Sequence, residues 1–223
     1  MLENYKQYII DLLYNSYIYK LGHIPSVLSI LPIVLKLKDN KTPIIIGKSF
    51  GIQAWFIDEN IKNFFIKNKE YKILTKDFFN NSSFNVKYCQ QQLGLAAGFS
   101  VGYSIHKNQC ICLLSDGDVF LESTLSAIDL SFKLNLPINF IIDSNNCQLF
   151  NSKSVNSVLE KYVYKEYSIN DFLSNELKNG PFITIVKTIK GYGIKTLEEN
   201  PKDWHYRLLT YSDYKTFIKE IVC

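Results

Sequence analysis

The segment from Cys110 to Ile142 constrains the fold more than any other part of the chain. Cys110-Ile-Cys-Leu-Leu is an unbroken apolar run, the pattern of a strand buried on both faces of a parallel sheet. Ser115-Asp-Gly-Asp reads as a turn, Leu121 to Leu134 has the spacing of an amphipathic helix, and Pro137-Ile-Asn-Phe-Ile-Ile is a second apolar strand. Parallel neighbours need a crossover of this size, so the segment reads as a βαβ unit. The rest continues the alternation. A helix is predicted over Leu2 to Tyr19, from the spacing of Tyr5, Ile9, Leu12, Leu13 and Ile18, and another after Pro25. A short buried strand follows at Thr42 to Ile46, then helical stretches at Ser49 to Lys67 and, rich in Gly and Ala, at Gln90 to Ile105. A short helix at Asn170 to Lys178 precedes a strand at Phe182 to Val186, and Asp213 to Ile221 forms a last helix. This order predicts an α/β fold: a doubly wound, mainly parallel sheet with helices on both faces and a ligand crevice at the carboxyl ends of its strands.

Composition narrows the class. A chain of 223 residues suits one domain, taken as 1–223, and 47% hydrophobic with 21% charged residues excludes a largely disordered protein. The apolar stretch from Ile24 to Leu37 is too short for a membrane span and contains Pro25 and Pro32. No signal-peptide pattern opens the chain, so a cytoplasmic protein is expected. The net charge is +4, but Arg207 is the only arginine among 25 basic residues, which argues against a nucleic-acid partner. Five cysteines, at 89, 110, 112, 147 and 223, form no metal-type pair; Cys110 and Cys112 read as reduced core thiols.

Polar residues gather where the predicted strands end. Asp116 and Gly117 follow one strand, Asn145 and Asn146 follow the next 29 residues later, and Gly191 and Gly193 follow a third. A carboxylate and an amide oxygen at adjacent strand ends suit Mg²⁺, which prefers hard oxygens and completes its shell with phosphate and water. A glycine beside the carboxylate lets a diphosphate approach the backbone N–H groups. Asp-Gly and Asn-Asn are also ordinary turn dipeptides, so spacing alone leaves both readings open.

The order of these motifs resembles the thiamine diphosphate-binding pattern, GDG followed later by N or NN. More closely, the chain resembles the diphosphate-binding half of transketolase, which in many bacteria and archaea is a separate N-terminal subunit. Gly22-His23 is similar to the family's SGHPG segment, and Gln92-Leu-Gly-Leu-Ala-Ala-Gly to its SLGQGL segment. LLSDGDVFLES resembles LLGDGELQEG, and IIDSNNCQ resembles IVDYNGLQ. IVKTIKGYGI and EENPKDWH resemble AKTVKGKGV and the family's tryptophan-histidine close.

The resemblance implies thiamine diphosphate and Mg²⁺ as cofactors. It assigns the Asp116 carboxylate, the Asn145 amide and the Cys147 backbone carbonyl to the metal, and the Gly117 N–H to the diphosphate. Leu93 and Gly94 match the segment near the cofactor's rings. His23 and His205 match histidines near the diphosphate and the reacting carbons, and Glu122 matches, after a small gap, a glutamate between two active sites. Asp118 stands where the family has a glutamate at the turn. The implied activity is transfer of a two-carbon ketol unit from a ketose-type donor to an aldose acceptor, with the cofactor as electron sink. The family's activating glutamate belongs to a pyrimidine-binding domain not found in this sequence, so a separate partner chain and an α2β2 heterotetramer are expected.

Some positions depart from the pattern. Ser115 replaces the first glycine of GDG. Phe50, and with a looser alignment Asp77, fall where the family has histidines that hold ketose hydroxyls, and a phenyl group can neither donate nor accept there. The region from Asn151 to Asn170 is shorter than in typical relatives. These changes leave two further readings: a subunit of a 2-oxo acid decarboxylase or acyloin-forming enzyme, and a non-catalytic regulatory subunit.

Overall fold

Alternate residues of the central strands are claimed by two different cores, and that alternation sets the architecture. The computed structural model describes residues 2–47, 51–68, 75–89, 92–106, 108–145, 147, 154–178 and 180–222. The chain opens with α1 (Leu2–Tyr19) and α2 (Ile24–Leu37). Strand β1 (Ile44–Ile46) leads through a 3₁₀ turn at Ile52–Ile57 to α3 (Glu59–Lys67), and a second 3₁₀ turn at Lys76–Phe79 leads to β2 (Val86–Cys89). Then follow α4 (Ala96–Ser104), β3 (Cys110–Ser115), the one-turn α5 (Asp116–Val119), α6 (Glu122–Lys133) and β4 (Ile138–Ser144). The remainder is α7 (Val155–Leu159), β5 (Tyr164–Ser168), α8 (Ile169–Ser174), β6 (Phe182–Lys187), α9 (Lys195–Glu199) and α10 (Tyr211–Val222).

Among the described residues, six strands form one parallel sheet in the order β2-β1-β3-β4-β6-β5. On one face Ile44, Ile46, Ile111, Leu113, Ile141 and Val186 pack with residues of α1, α2 and α10. On the other, Ile45, Cys112, Leu114, Phe140 and Ile142 pack with residues of α4 and α6. The expected doubly wound α/β fold is therefore present. Strand order reverses between β1 and β3, so the switch point at which such sheets leave a crevice lies where those two strands end.

The apolar stretch Ile24–Leu37 is a core helix, apolar around its circumference and buried along nearly all its length. Among the described residues, no helix is long and apolar enough to cross a membrane. Cys110 and Cys112 are free, buried thiols, and burial pushes both up from the ordinary thiol range.

Three local expectations change. The helix expected over Ser49 to Lys67 is divided at Asp58; Ser49 and Phe50 themselves lie outside the described residues. Asp58 is extended, and its carboxylate accepts from Asn60 N–H at 2.9 Å and Ile61 N–H at 3.2 Å, capping α3. The helix expected from Gln90 begins at Ala96, because Gly94 takes a left-handed φ of 85°. The turn expected at Ser115-Asp-Gly-Asp is a helical turn with a capping box, in which Ser115 and Asp118 bond reciprocally.

Candidate functional site

The site is built from the ends of β3, β4 and β6 and from the loop before α2. Ser115 pairs with Asp143 in parallel register, so Asp116 and Asn145 occupy adjoining strand ends. Ser115 has φ −89°, which any residue adopts, so the glycine of the expected motif is not needed here. Its hydroxyl caps α5 instead.

Asp118 is fully buried and organises the next shell. One carboxylate oxygen accepts from Ser115 N–H at 2.9 Å and from the Ser115 hydroxyl at 2.7 Å; the other accepts from Gly94 N–H at 2.8 Å. It therefore does more than fill a turn. It ties the end of β3 to the segment before α4. A Cβ at Gly94 would stand 2.7 Å from Ser123 Oγ and 2.8 Å from Leu121 Cδ1, so only glycine fits that approach. The same placement brings Leu93 against Gly117, where an added Cβ would lie 3.7 Å from Leu93 Cδ1. Leu93, Gly94 and Gly117 thus come together. Gly117 N–H donates to Asp116 Oδ1 at 2.8 Å.

A second buried carboxylate, Asp143, lies behind Asp116. The Ser29 hydroxyl donates to it at 2.8 and 3.0 Å, and the Thr188 hydroxyl also donates to it. Ser29 comes from α2 and Thr188 from the loop after β6, so this carboxylate joins three distant segments. Burial pushes its pKa up to about 6, with the Asp116 charge adding to the rise and the donors opposing it. Asn145 Nδ2 donates to Ser29 Oγ at 3.2 Å and to Asp143 Oδ2 at 3.4 Å, while Asn145 Oδ1 accepts from Cys147 N–H at 3.2 Å. Asn145 and Cys147 are therefore linked directly. Asn146 lies outside the described residues.

The two histidines meet. His23 N–H donates to the His205 carbonyl at 3.1 Å, and the rings stand edge to face with centroids 4.8 Å apart. Tyr206, 72% exposed, packs edge-on against both, at 5.2 Å from His23 and 4.5 Å from His205. His23 holds a left-handed φ of 60°, uncommon outside glycine and enriched at functional positions. Gln53 Nε2 fixes the preceding carbonyl, Gly22 O, at 2.7 Å. The loop after β6 joins the two halves of the site: Thr188 N–H donates to Ser144 O at 3.1 Å, and Gly191 N–H to Pro25 O at 2.9 Å.

The remaining candidates stand apart. Glu122 is exposed on the first turn of α6, at the rim beside Leu121. Asp77 is exposed in the second 3₁₀ turn, whose Lys76 and Asn80 border a surface depression with Asn40 and Lys41. Those two residues precede β1, so Asp77 sits toward the amino ends of the strands, away from the site. Phe50 lies outside the described residues. Sequence reasoning missed Asp143, Ser29, Thr188, Gln53 and Tyr206. Of these, Asp143 carried a readable signal: a carboxylate in place of the next apolar residue at the end of INFIID.

The donors are hard oxygens, a carboxylate and an amide with a backbone carbonyl nearby, which suits a small divalent cation with phosphate and water completing its shell. Among the described residues, no group of three or more His, Cys, Asp or Glu is placed to hold a metal ion. Gly117 leaves room beside the carboxylate, since an added Cβ would meet nothing closer than 3.6 Å.

No family model and no curated protein matches the sequence. Among solved structures, the chain is similar to a transketolase from Leishmania mexicana, with a TM-score of 0.55 and 14% sequence identity. The match covers 100% of this chain and 45% of that one, so the chain spans less than half the length of its structural neighbour. At this identity the likeness is one of fold.

Proposed function

We propose that this chain is the diphosphate-binding component of a split, thiamine diphosphate-dependent enzyme. It transfers a two-carbon ketol unit from a ketose-type donor to an aldose acceptor, as the transketolase family does. The observation that carries the reading is the placement of Asp116, Gly117 and Asn145 at adjoining strand ends beside the switch point of a transketolase-like sheet.

The residues fit the implied cofactors. Asp116, the Asn145 amide oxygen and the Cys147 carbonyl would hold Mg²⁺. Gly117 N–H is engaged by Asp116, so binding a diphosphate there exchanges one anionic acceptor for another. Leu93 and Gly94 offer an apolar seat braced by Asp118. The bound cofactor would supply an electron sink for breaking a carbon–carbon bond. His23 and His205 would bind phosphate or substrate hydroxyls through their ring nitrogens. Glu122, exposed at the start of α6, would reach toward the second active site of the assembled complex.

The surface around that seat supports a partner chain. Leu95, Phe99 and Leu121 are exposed beside Leu93, and large apolar side chains grouped on a surface mark interaction sites. A chain carrying the pyrimidine-binding domain and its glutamate would cover them, with two copies of each chain in the complex. Phenyl in place of imidazole at Phe50 favours a second reading, in which the donor is a 2-oxo acid. The same complex separates the two, since only that donor releases CO₂.

The test is calorimetric. The chain, purified with its natural partner, is expected to bind thiamine diphosphate only with Mg²⁺ present. D116A and N145A are expected to weaken that binding at least about tenfold while the ligand-free complex still assembles. A wild-type complex that binds no thiamine diphosphate in Mg²⁺ overturns the reading.

A further inference from the structure

We propose that Asp143 and Ser29 are positioning residues that set the orientation of the Asn145 carboxamide, so that its oxygen and not its NH₂ faces a divalent cation. This rests on the reading of the site given above. Asp143 is buried and, when ionised, only accepts hydrogen bonds. The Ser29 hydroxyl has a single proton, and its oxygen lies 2.8 and 3.0 Å from the two Asp143 oxygens and 2.9 Å from Thr188 Oγ1, whose own proton goes to Asp143, so the Ser29 proton is taken on that side. With that proton committed, Ser29 Oγ faces Asn145 as an acceptor. Both groups before Asn145, Ser29 Oγ at 3.2 Å and Asp143 Oδ2 at 3.4 Å, are therefore acceptors, and only an NH₂ group satisfies them. The amide oxygen is left on the other side, where its partner is Cys147 N–H at 3.2 Å. A reversed amide would set its oxygen against two acceptors and point N–H groups at the cation.

Thr188 has a different part. Its hydroxyl also donates to Asp143, but it does not touch Asn145. It also lies 2.9 Å from Ser29 Oγ, so it braces both the carboxylate and the serine without itself facing the amide, and its loss reports support of that pair rather than the choice of amide direction.

The experiment uses Mn²⁺ as a probe for the Mg²⁺ site. The full chain, in complex with its natural partner, is mixed with saturating thiamine diphosphate at pH 8, and free Mn²⁺ is read by electron paramagnetic resonance. Wild type, D143N, S29A and T188V are compared, with melting temperatures for each. D143N keeps the shape of the carboxylate but can donate as well as accept, so it no longer dictates the amide direction. D143N and S29A are expected to weaken Mn²⁺ binding about 10- to 100-fold, the range found for groups that orient a metal ligand. T188V is expected to lower the melting temperature with a much smaller change in affinity. The side-chain NH₂ resonances of Asn145, assigned by their loss in N145D, are expected to move toward solvent-like positions in S29A. If S29A and D143N bind Mn²⁺ as tightly as wild type, or if S29A and T188V lose affinity equally, the positioning role is overturned while the cofactor reading stands. If wild type itself binds no Mn²⁺ with thiamine diphosphate, both are overturned. Should D143N fail to fold, S29A against T188V decides.

Discussion

Asp118 shows how much one buried carboxylate can hold at the residue scale. It satisfies donors from Ser115 and Gly94, and so joins the end of β3 to the segment that seats Leu93. In D118A those backbone donors lose their acceptor inside the protein. The expected cost is about 3 kcal/mol, the sum of two or so buried groups left unpaired, read as a lower urea midpoint with an unchanged slope. A wild-type midpoint would show that water or another group replaces the carboxylate. The sequence made Asp116, Gly117 and Asn145 legible, because each follows an apolar run directly and has the chemistry of a cation or phosphate ligand. Asp118 was hidden by its own motif: in a run of DGD it reads as one more turn residue. Asp143 was hidden too, since a polar residue at the end of a strand normally faces water. Only the arrival of Ser29 and Thr188 from distant segments shows that it does not.

At the scale of elements, α3 depends on its cap. Burial raises the Asp58 carboxyl, but hydrogen bonds from Ser83, Ile61 and Asn60 outweigh it and hold the pKa below its ordinary value of 3.8. The folded chain therefore keeps this charge at a pH where the unfolded chain has begun to lose it. That contribution is complete above the unfolded value and disappears as the pH falls through the folded one. D58A is expected to cost about 1 kcal/mol near neutrality, the usual value of an N-cap. The difference between D58A and wild type should shrink below about pH 4 in urea unfolding curves; a constant difference would mean that the charge of Asp58 is immaterial. The elements readable in advance were those with clear apolar patterns: α1, α2, β1, β3, α6, β4, β6 and α10. Strands β2 and β5 were missed because each lies at an edge of the sheet and is only partly buried. Edge strands need no continuous apolar run, so nothing in their sequence separates them from loops. The break at Asp58 was missed for a related reason. Helical spacing continues across it, and only the cap shows where one segment stops and the next begins.

For the whole molecule, the sheet order was the part that pattern could not supply. Parallel pairing follows from alternating strands and helices, but the reversal between β1 and β3, which locates the site, is a property of the assembled sheet. The proposed partner gives a test at this scale. Leu95, next to Gly94, is 47% exposed beside the proposed cofactor site. L95E is expected to leave the melting temperature of the chain within a degree or two of wild type, since surface changes of this kind cost about 0.5 kcal/mol or less. The same variant is expected to lose the partner chain in size-exclusion chromatography with multi-angle scattering. Retention of the partner would place the interface elsewhere. The pairing of His23 with His205 has one more consequence, and it concerns timing. A protein is made from its amino end, and early segments begin to order while later ones are still being synthesised. Every described strand of the sheet lies between Ile44 and Lys187, so a nascent chain can contain all of these strands before the carbonyl that seats His23 has been made. A stalled or clipped chain ending before residue 205 would therefore carry these strands but lack both the carbonyl that seats His23 and the core residues Leu209, Phe217 and Ile221 that cover one face of the sheet.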